Sequence, residues 1–319
     1  MVKYYPRLWQ LVLVISIALS LLAVMWPSAA VSLFLAFGLI LLIGIPHGAA
    51  DHQLFQRLYL KHHSVGGLIS FYLAYLGLMG LVILGWIWWP IFTLIAFLVM
   101  SAYHFGQGNF AYLPKGQLSK HLLELFWGAW VICAPICFHF TAARPIIESL
   151  VEVQLDQVTG LSVQWWPFLL LLPVLGLLFY QFLSSSVSTQ EGITRTYLLR
   201  ELITLVVLLA IFYFSPLLLG FAIYFALWHA LPSALDQIAF LTQERGGYAI
   251  MKYLRIVAPL SGMAFLSILL VWWLKPAFSP SEQWSWLFAF IAALTLPHML
   301  ILDRVYHQMN HLEESPGGL

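Results

Sequence analysis

Long apolar stretches recur from one end of the chain to the other, and they constrain the fold more than any other feature of the sequence. A helix needs about 20 mostly apolar residues to cross the hydrocarbon layer of a bilayer. Ten stretches approach or reach this length, at residues 9–26, 29–46, 67–88, 90–107, 122–140, 164–183, 197–214, 216–232, 255–274 and 284–303. Only 8% of the residues are charged, against about 25% in soluble domains. The sequence therefore predicts an all-α integral membrane protein with about ten transmembrane helices.

The polar segments between these stretches are short, and no soluble domain fits between them. We therefore predict that residues 1–319 form a single polytopic membrane domain. The formal net charge is +1, which provides no global electrostatic attraction for nucleic acid. We expect no nucleic-acid partner.

Lysines and arginines are distributed unevenly between the predicted loops, and this distribution orients the chain. With the N-terminus in the cytoplasm, only Arg144 and Lys275 of the 14 basic residues fall on the outer side. The other 12 fall on the inner side, at Lys3, Arg7, Arg57, Lys61, Lys115, Lys120, Arg195, Arg200, Arg245, Lys252, Arg255 and Arg304. Cytoplasmic loops of membrane proteins are enriched in Lys and Arg. Both termini are therefore predicted to be cytoplasmic.

Four histidines lie inside apolar sequence rather than in loops, at His47, His104, His229 and His298. They fall in the second, fourth, eighth and tenth predicted helices, which all run from the outer to the inner side. Each histidine lies toward the cytoplasmic end of its helix. A hydrogen bond to a neighbouring helix explains one such histidine, whereas four at a common depth favour a shared site in the bundle interior.

Neutral imidazole is the commonest protein ligand for metals, and it suits Fe, Zn or Cu. We therefore predict that these four histidines form a metal site, with no further catalytic side chain and no organic cofactor. Glycine or proline lies beside each histidine, at Pro46, Gly48, Gly106, Pro232 and Pro297. These residues predict irregular backbone next to a cavity, although both types are frequent in any membrane helix.

Two polar residues follow His47 closely. Asp51 lies four residues after His47, about one helical turn away. Metal-bound histidines usually donate their second N–H to a carboxylate or a carbonyl, and Asp51 is a candidate for that partner. A helix cap or a loop carboxylate explains Asp51 equally well. His52 is an alternative metal ligand if the end of the helix unwinds.

At these residues the chain resembles the Brp/Blh family of membrane-bound β-carotene 15,15′-dioxygenases. The resemblance rests on the order, spacing and apolar setting of four short motifs. They are Pro46-His47-Gly48-Ala49-Ala50-Asp51, His104-Phe105-Gly106, Trp228-His229 and Leu296-Pro297-His298-Met299.

The resemblance implies an Fe(II)- and O2-dependent enzyme that splits the central double bond of β-carotene into two molecules of retinal. It also implies iron ligands at His47, His104 and His229. The family pattern often has a further histidine four positions after the Trp-His histidine, but this chain has Ser233 there. A serine is a poor iron ligand, and we therefore assign the fourth ligand to His298 from its predicted depth.

The same resemblance implies the partners and the location of the protein. It implies β-carotene, O2 and the lipid bilayer as partners, a functional link to a retinal-binding rhodopsin, and a multi-pass location in the inner (plasma) membrane of a prokaryotic cell. Several aromatic residues are candidates for the walls of an apolar pocket, and ordinary helix packing explains them equally well. They are Phe71, Tyr72, Tyr75, Phe105, Phe110, Phe221, Tyr224, Phe225 and Trp228.

Two other classes of protein also place histidines in membrane helices. A membrane di-iron desaturase or hydroxylase needs about eight histidines in dense clusters; His62 and His63 hint at such a cluster, but the remaining clusters are missing. A transporter that relays protons through histidines is the second alternative. The small number of acidic residues in apolar sequence and the absence of a visible inverted repeat disfavour it.

Overall fold

A computed structural model of the protein describes residues 6–60, 64–110, 113, 118–155, 158, 160–184, 189–242, 246–273 and 280–314. Within these residues every regular element is a helix. Seven residues that entered the sequence predictions lie outside the described residues, namely Lys3, Lys61, His62, His63, Lys115, Arg245 and Lys275.

The described helices follow one another with short connections. They are α1 (Pro6–Met25), α2 (Ala29–Leu39), α3 (Ile45–Gly48), α4 (Asp51–Tyr59), α5 (Val65–Trp88), α6 (Pro90–Asn109), α7 (Leu118–Phe138), α8 (Phe140–Val151), α9 (Gly160–Val163), α10 (Trp166–Ser184), α11 (Thr189–Phe214), α12 (Leu217–Ile223), α13 (Leu231–Thr242), α14 (Gly247–Trp273) and α15 (Pro280–Glu314). Two π-helical segments, Ile40–Gly44 and Tyr224–Ala230, lie between α2 and α3 and between α12 and α13.

Ten helical stretches among the described residues are long and apolar enough to cross a membrane. They are Arg7–Met25, Ala29–Tyr59, Val65–Trp88, Pro90–Asn109, Leu118–Phe138, Trp166–Leu183, Arg195–Phe214, Leu217–Thr242, Gly247–Leu270 and Ser285–Gln308. This confirms the predicted all-helical membrane fold and its ten spans. The cytoplasmic position of the two termini stays a prediction.

Several helical stretches continue past the ends that the sequence predicts. The second reaches Tyr59 rather than residue 46, and the ninth begins at Gly247 rather than at residue 255. Mean hydropathy falls at the first charged residues, whereas backbone hydrogen bonding continues beyond the apolar layer. Arg57, which lies outside the predicted spans, consequently lies on α4.

The backbone packing groups the chain into two compact units. Unit 1 contains Met1–Ile40, Leu98–Glu148 and Val153–Pro232, and unit 2 contains Leu41–Phe97, Ser149–Glu152 and Ser233–Leu319. His104 and His229 belong to unit 1, whereas His47 and His298 belong to unit 2. The single domain that we predict for residues 1–319 stays a prediction.

The core of unit 1 is aromatic. Helix α7 packs against α10 and α11, and α2 packs against α12. Trp127, Trp130 and Phe212 are fully buried, with ring centroids 6.2 Å apart for the two tryptophans and 5.7 Å apart for Trp130 and Phe212. Large buried rings contribute much of the apolar stabilisation of a core.

Two glycines in unit 1 allow α6 and α7 to approach each other closely. A Cβ atom at Gly106 would lie 1.8 Å from the carbonyl oxygen of Glu124, and one at Gly128 would lie 1.6 Å from that of Ala102. Any side chain at either position would push the two backbones apart. This backbone contact, of a kind common between membrane helices, fixes the turn of α6 that carries His104.

The core of unit 2 surrounds the segment between His47 and α4. Helix α15 packs against α4 and α5, and α14 packs against α3. Leu54, Phe71, Tyr253 and Leu302 are buried within one continuous cluster. This packing holds α3, α4 and α15, which carry His47, Asp51 and His298.

Candidate metal centre

Irregular backbone occurs beside two of the four predicted ligands. One π-helical segment ends at Gly44, shortly before His47, and the other contains His229. A proline, Pro46 or Pro232, lies two residues after the end of each segment. Proline has no N–H to close a regular helical turn, and π-helical turns often occur at functional sites. The predicted irregularity is therefore confirmed for His47 and His229.

The expected irregularity is wrong for the other two ligands. His104 and His298 lie inside α6 and α15, which continue past them as α-helices. Gly106 serves the close packing of α6 on α7 instead of breaking the helix. Pro297 stands inside α15, and a membrane helix tolerates proline where neighbouring groups bond to the freed backbone.

His47 and His298 lie together in unit 2. Their ring centroids are 4.9 Å apart and their ring planes are perpendicular. The two residues are only 5% and 6% exposed. Gly48 lies next to this pair, since a Cβ atom added to it would be in ordinary van der Waals contact with His298 Nδ1, at 3.9 Å.

Each imidazole of this pair uses Nδ1 for a hydrogen bond to an oxygen of unit 2. His47 Nδ1 bonds to the carbonyl oxygen of Gly44, and His298 Nδ1 lies 2.8 Å from Asp51 Oδ1. A carbonyl and a carboxylate oxygen only accept, so Nδ1 is the donor in both bonds. Nε2 of both rings then carries the lone pair that a metal needs. Metal-binding histidines usually have this arrangement.

Asp51 bonds to a histidine other than the one its spacing indicates. The separation of four residues points to His47, but α3 ends at Gly48 and α4 begins at Asp51. Ala49 and Ala50, between them, have ψ angles of −7°, far from the α-helical value of about −42°. This turn interrupts the helical register, and the Asp51 carboxylate instead meets His298, 247 residues later in the chain.

A residue that the sequence indicated only as an aromatic candidate completes this arrangement. The Tyr75 hydroxyl donates to Asp51 Oδ2 at 3.1 Å and lies 3.3 Å from the carbonyl oxygen of Leu294. No signal in the sequence connects Tyr75 with Asp51, because they lie on different helices and their residue types are common.

His104 and His229 lie together in unit 1. Their ring centroids are 4.9 Å apart with an interplanar angle of 73°, and both residues are buried. Phe105 and Phe225 contact His229, with centroid distances of 4.6 Å and 5.9 Å. The Trp228 indole N–H donates to Ser16 Oγ at 3.0 Å and ties the π-helical segment to α1. The second pair therefore has predominantly aromatic surroundings.

Ser233, which stands where the family pattern often has a histidine, belongs to a buried polar network in unit 2. Its hydroxyl accepts a hydrogen bond from Gln237 Nε2 at 3.3 Å. Gln237 Oε1 accepts one from the Tyr253 hydroxyl at 2.7 Å, and this hydroxyl lies 3.4 Å from the carbonyl oxygen of Pro46. The network thus supports the backbone immediately before His47.

Each unit by itself brings two of the four predicted ligands together. Within the described residues, no group of three or more His, Cys, Asp or Glu side chains is placed so that it could hold a metal ion. The set of four ligands and the alternative role of His52 therefore stay predictions. The type of donor atom fits iron, since imidazole nitrogen is a common iron ligand. In unit 2, Nδ1 of each histidine donates to an oxygen, which leaves the Nε2 lone pair for a metal.

Comparison with known proteins gives a match over most of the chain. A family model described as beta-carotene 15,15'-dioxygenase matches residues 38–306, which include all four histidines, Asp51 and Tyr75. The beta-carotene 15,15'-dioxygenase of the uncultured marine bacterium 66A03 is 32% identical over 88 residues. This segment covers 28% of the present chain and 32% of that relative. No solved structure matches.

Proposed function

The chain belongs to the β-carotene 15,15′-dioxygenase family, and we propose that it uses O2 to cleave the central double bond of β-carotene into two molecules of retinal. The observation that carries this proposal is the extent of the family match, which spans the four buried histidines and the polar residues around them. The reaction balances without a reductant. The carbon–carbon double bond breaks, and each of the two carbons forms a double bond to one oxygen atom of the same O2.

We propose His47, His104, His229 and His298 as ligands of one Fe(II). The set follows from the sequence, which places one histidine on each of four helices at a common predicted depth. The contacts within each unit support it, because the histidines form two close pairs. Bound Fe(II) would bind O2 and activate it toward reaction with a double bond.

The protein side chains contribute orientation and the exclusion of water. Gly44 and Asp51 accept hydrogen bonds from His47 and His298 and so select the tautomer with a basic Nε2. The burial of all four rings keeps water away from them. No protein nucleophile, general acid or general base is needed, since the overall reaction transfers no net proton.

The surroundings of His104 and His229 suit a hydrocarbon substrate. Phe105 and Phe225 pack on the His229 ring, and Phe221 stacks on Phe225 with nearly parallel rings, 7° apart. Pockets for apolar ligands have mainly apolar and aromatic walls. β-Carotene dissolves in lipid, so an enzyme with membrane-spanning helices can take it directly from the bilayer.

We further propose that the protein lies in a prokaryotic inner membrane with both termini in the cytoplasm. A retinal-binding rhodopsin is the class of protein that would use its product. The orientation rests on the positive-inside distribution of Lys and Arg. Reporter fusions at Ser28 and at Lys115 should respond from the outer and the inner side, respectively. A response from the same side at both positions would refute this topology.

Metal content and oxygen uptake test the proposed chemistry on the purified protein. We expect one iron per chain and the uptake of one O2 per β-carotene without any added electron donor. A desaturase or hydroxylase would bind two irons and would need a reductant, and a transporter would bind no iron. The family match favours neither of these alternatives. Activity that depends strictly on an added reductant would refute the dioxygenase assignment.

A further inference from the structure

We infer that Tyr75 is a positioning residue for the metal ligand His298 and acts on it through Asp51. Tyr75, Asp51 and His298 form a hydrogen-bonded triad. The inference rests on the proposed function, because it assigns His298 to the iron site. It adds a residue that neither the family motifs nor the spacing of polar residues indicates.

The triad joins three helices of unit 2. Tyr75 lies on α5, Asp51 is the first residue of α4, and His298 lies on α15. The hydroxyl of Tyr75 is 3.1 Å from Asp51 Oδ2, and Asp51 Oδ1 is 2.8 Å from His298 Nδ1. The two carboxylate oxygens therefore bond to two different donors, one on each neighbouring helix.

Burial makes both hydrogen bonds important for the carboxylate. Asp51 is 2% exposed, and a buried carboxylate is costly unless hydrogen bonds satisfy its oxygens. Its position in the first turn of α4 adds a favourable interaction with the helix dipole. Charge-assisted hydrogen bonds of this kind are stronger than neutral ones. The Tyr75 hydroxyl thus holds Oδ2 in place and prevents the carboxylate from rotating away from His298.

Tyr75 is itself fixed by its surroundings. Its ring contacts Phe71, with centroids 5.4 Å apart, and its hydroxyl also lies 3.3 Å from the carbonyl oxygen of Leu294. Leu294 lies in the turn of α15 that precedes Pro297, and His298 follows this proline directly. Tyr75 therefore contacts both the carboxylate that orients His298 and the backbone of the helix that carries it.

The effect of the triad on metal binding follows from the direction of its hydrogen bonds, since Tyr75 and His298 both donate to Asp51. A carboxylate that accepts the Nδ1 proton of a ligating histidine fixes the ring and increases the basicity of Nε2. Loss of such a partner typically lowers metal affinity or activity by about 10- to 100-fold. Since Tyr75 acts one bond further away than Asp51, we expect its effect near the lower end of this range.

Substituting phenylalanine for Tyr75 tests this inference because the change removes only the hydroxyl. The full-length protein, purified without metal, is titrated with Co²⁺, and the affinity and the visible absorption of bound Co²⁺ are measured. We expect Tyr75→Phe to weaken Co²⁺ binding by about 10-fold and to shift the absorption. Tyr59→Phe is the matched control, since Tyr59 lies on α4, the helix that begins at Asp51, but is 55% exposed. It should bind Co²⁺ like the wild type.

Two further measurements separate positioning from structural support. Thermal unfolding of the metal-free proteins shows whether the hydroxyl matters only for stability; a lower melting temperature with unchanged Co²⁺ affinity would refute the inference. Asp51→Asn, which keeps the shape of the side chain, should weaken binding more than Tyr75→Phe. If Tyr75→Phe does not fold, the Co²⁺ affinity of Asp51→Asn tests the inference in its place. An unchanged affinity in Asp51→Asn would also refute the inference.

The outcomes also distinguish this inference from the proposed function. If the wild type binds Co²⁺ tightly and Tyr75→Phe binds it equally well, the positioning role is wrong and the proposed metal site stands. If the wild type binds no Co²⁺ and no Fe²⁺, the proposed function fails and the positioning role fails with it.

Discussion

Alanine in place of His47, His104 or His229 is expected to lower retinal formation by at least about 100-fold. The loss of a hydrogen-bond partner of a metal ligand lowers activity by up to about 100-fold, and the loss of the ligand itself should have at least this effect. Each change removes an imidazole that we propose as an iron ligand. Each of these rings is buried beside a second histidine, so no side chain from solvent can replace it. The protein should still reach the membrane, because alanine is less polar than histidine and each of the ten spans stays apolar.

The measurement is retinal formed per amount of membrane-inserted protein, with iron content determined on the same preparations. His307→Ala is a suitable control because His307 is exposed on α15, and it should keep activity and iron. Full activity in any one of the three variants would remove that histidine from the ligand set. His52→Ala tests the alternative ligand, and it should keep activity if His47 is the ligand.

The His298→Ala variant is expected to lose iron and activity as completely as His47→Ala, whereas Ser233→Ala should keep most of both. The Ser233 hydroxyl serves the hydrogen-bond network of Gln237 and Tyr253, and this role requires no metal. His298 instead donates its Nδ1–H to the Asp51 carboxylate, which leaves Nε2 to bind a metal. These two variants therefore decide which residue provides the fourth ligand.

A double variant separates the loss of a ligand from the loss of stability. His298→Ala leaves the buried Asp51 carboxylate without the imidazole N–H that bonds to it, and leaving a buried acceptor unsatisfied costs about 1–3 kcal/mol, or more for a charged group. The double variant His298→Ala/Asp51→Ala removes this unpaired charge and should recover part of the thermal stability. It should stay inactive if His298 binds iron. Recovery of activity together with stability would show that His298 has only a structural role.

The sequence was sufficient to predict the spans because each depends on local composition. Apolar runs of the length of a bilayer specify helices wherever they lie, and all ten were located correctly. The ends were less accurate, as at Tyr59 and Gly247, because backbone hydrogen bonds continue where hydropathy has already fallen. The sequence predicted irregular backbone near proline at His47 and His229, but it did not predict that this backbone is π-helical.

The partners of the site residues could not be predicted because they depend on contacts between distant helices. Asp51 and His298 are 247 residues apart, and the spacing of Asp51 pointed to His47 instead. The deviation arises at Ala49 and Ala50, whose conformation interrupts the helical register. Tyr75 is a similar case, since the presence of a hydroxyl on an apolar helix gives no information about the helix it faces. The sequence shows four histidines in apolar segments, but it does not show which oxygens accept hydrogen bonds from them.

Expression in a bacterium that produces β-carotene is the most direct test of the proposed reaction. Cells that contain the protein in their membrane, with adequate iron and O2, should lose their orange colour and accumulate retinal as the only cleavage product. Cells that stay orange and contain no retinal, although the protein is present in the membrane, would contradict the proposed cleavage of β-carotene.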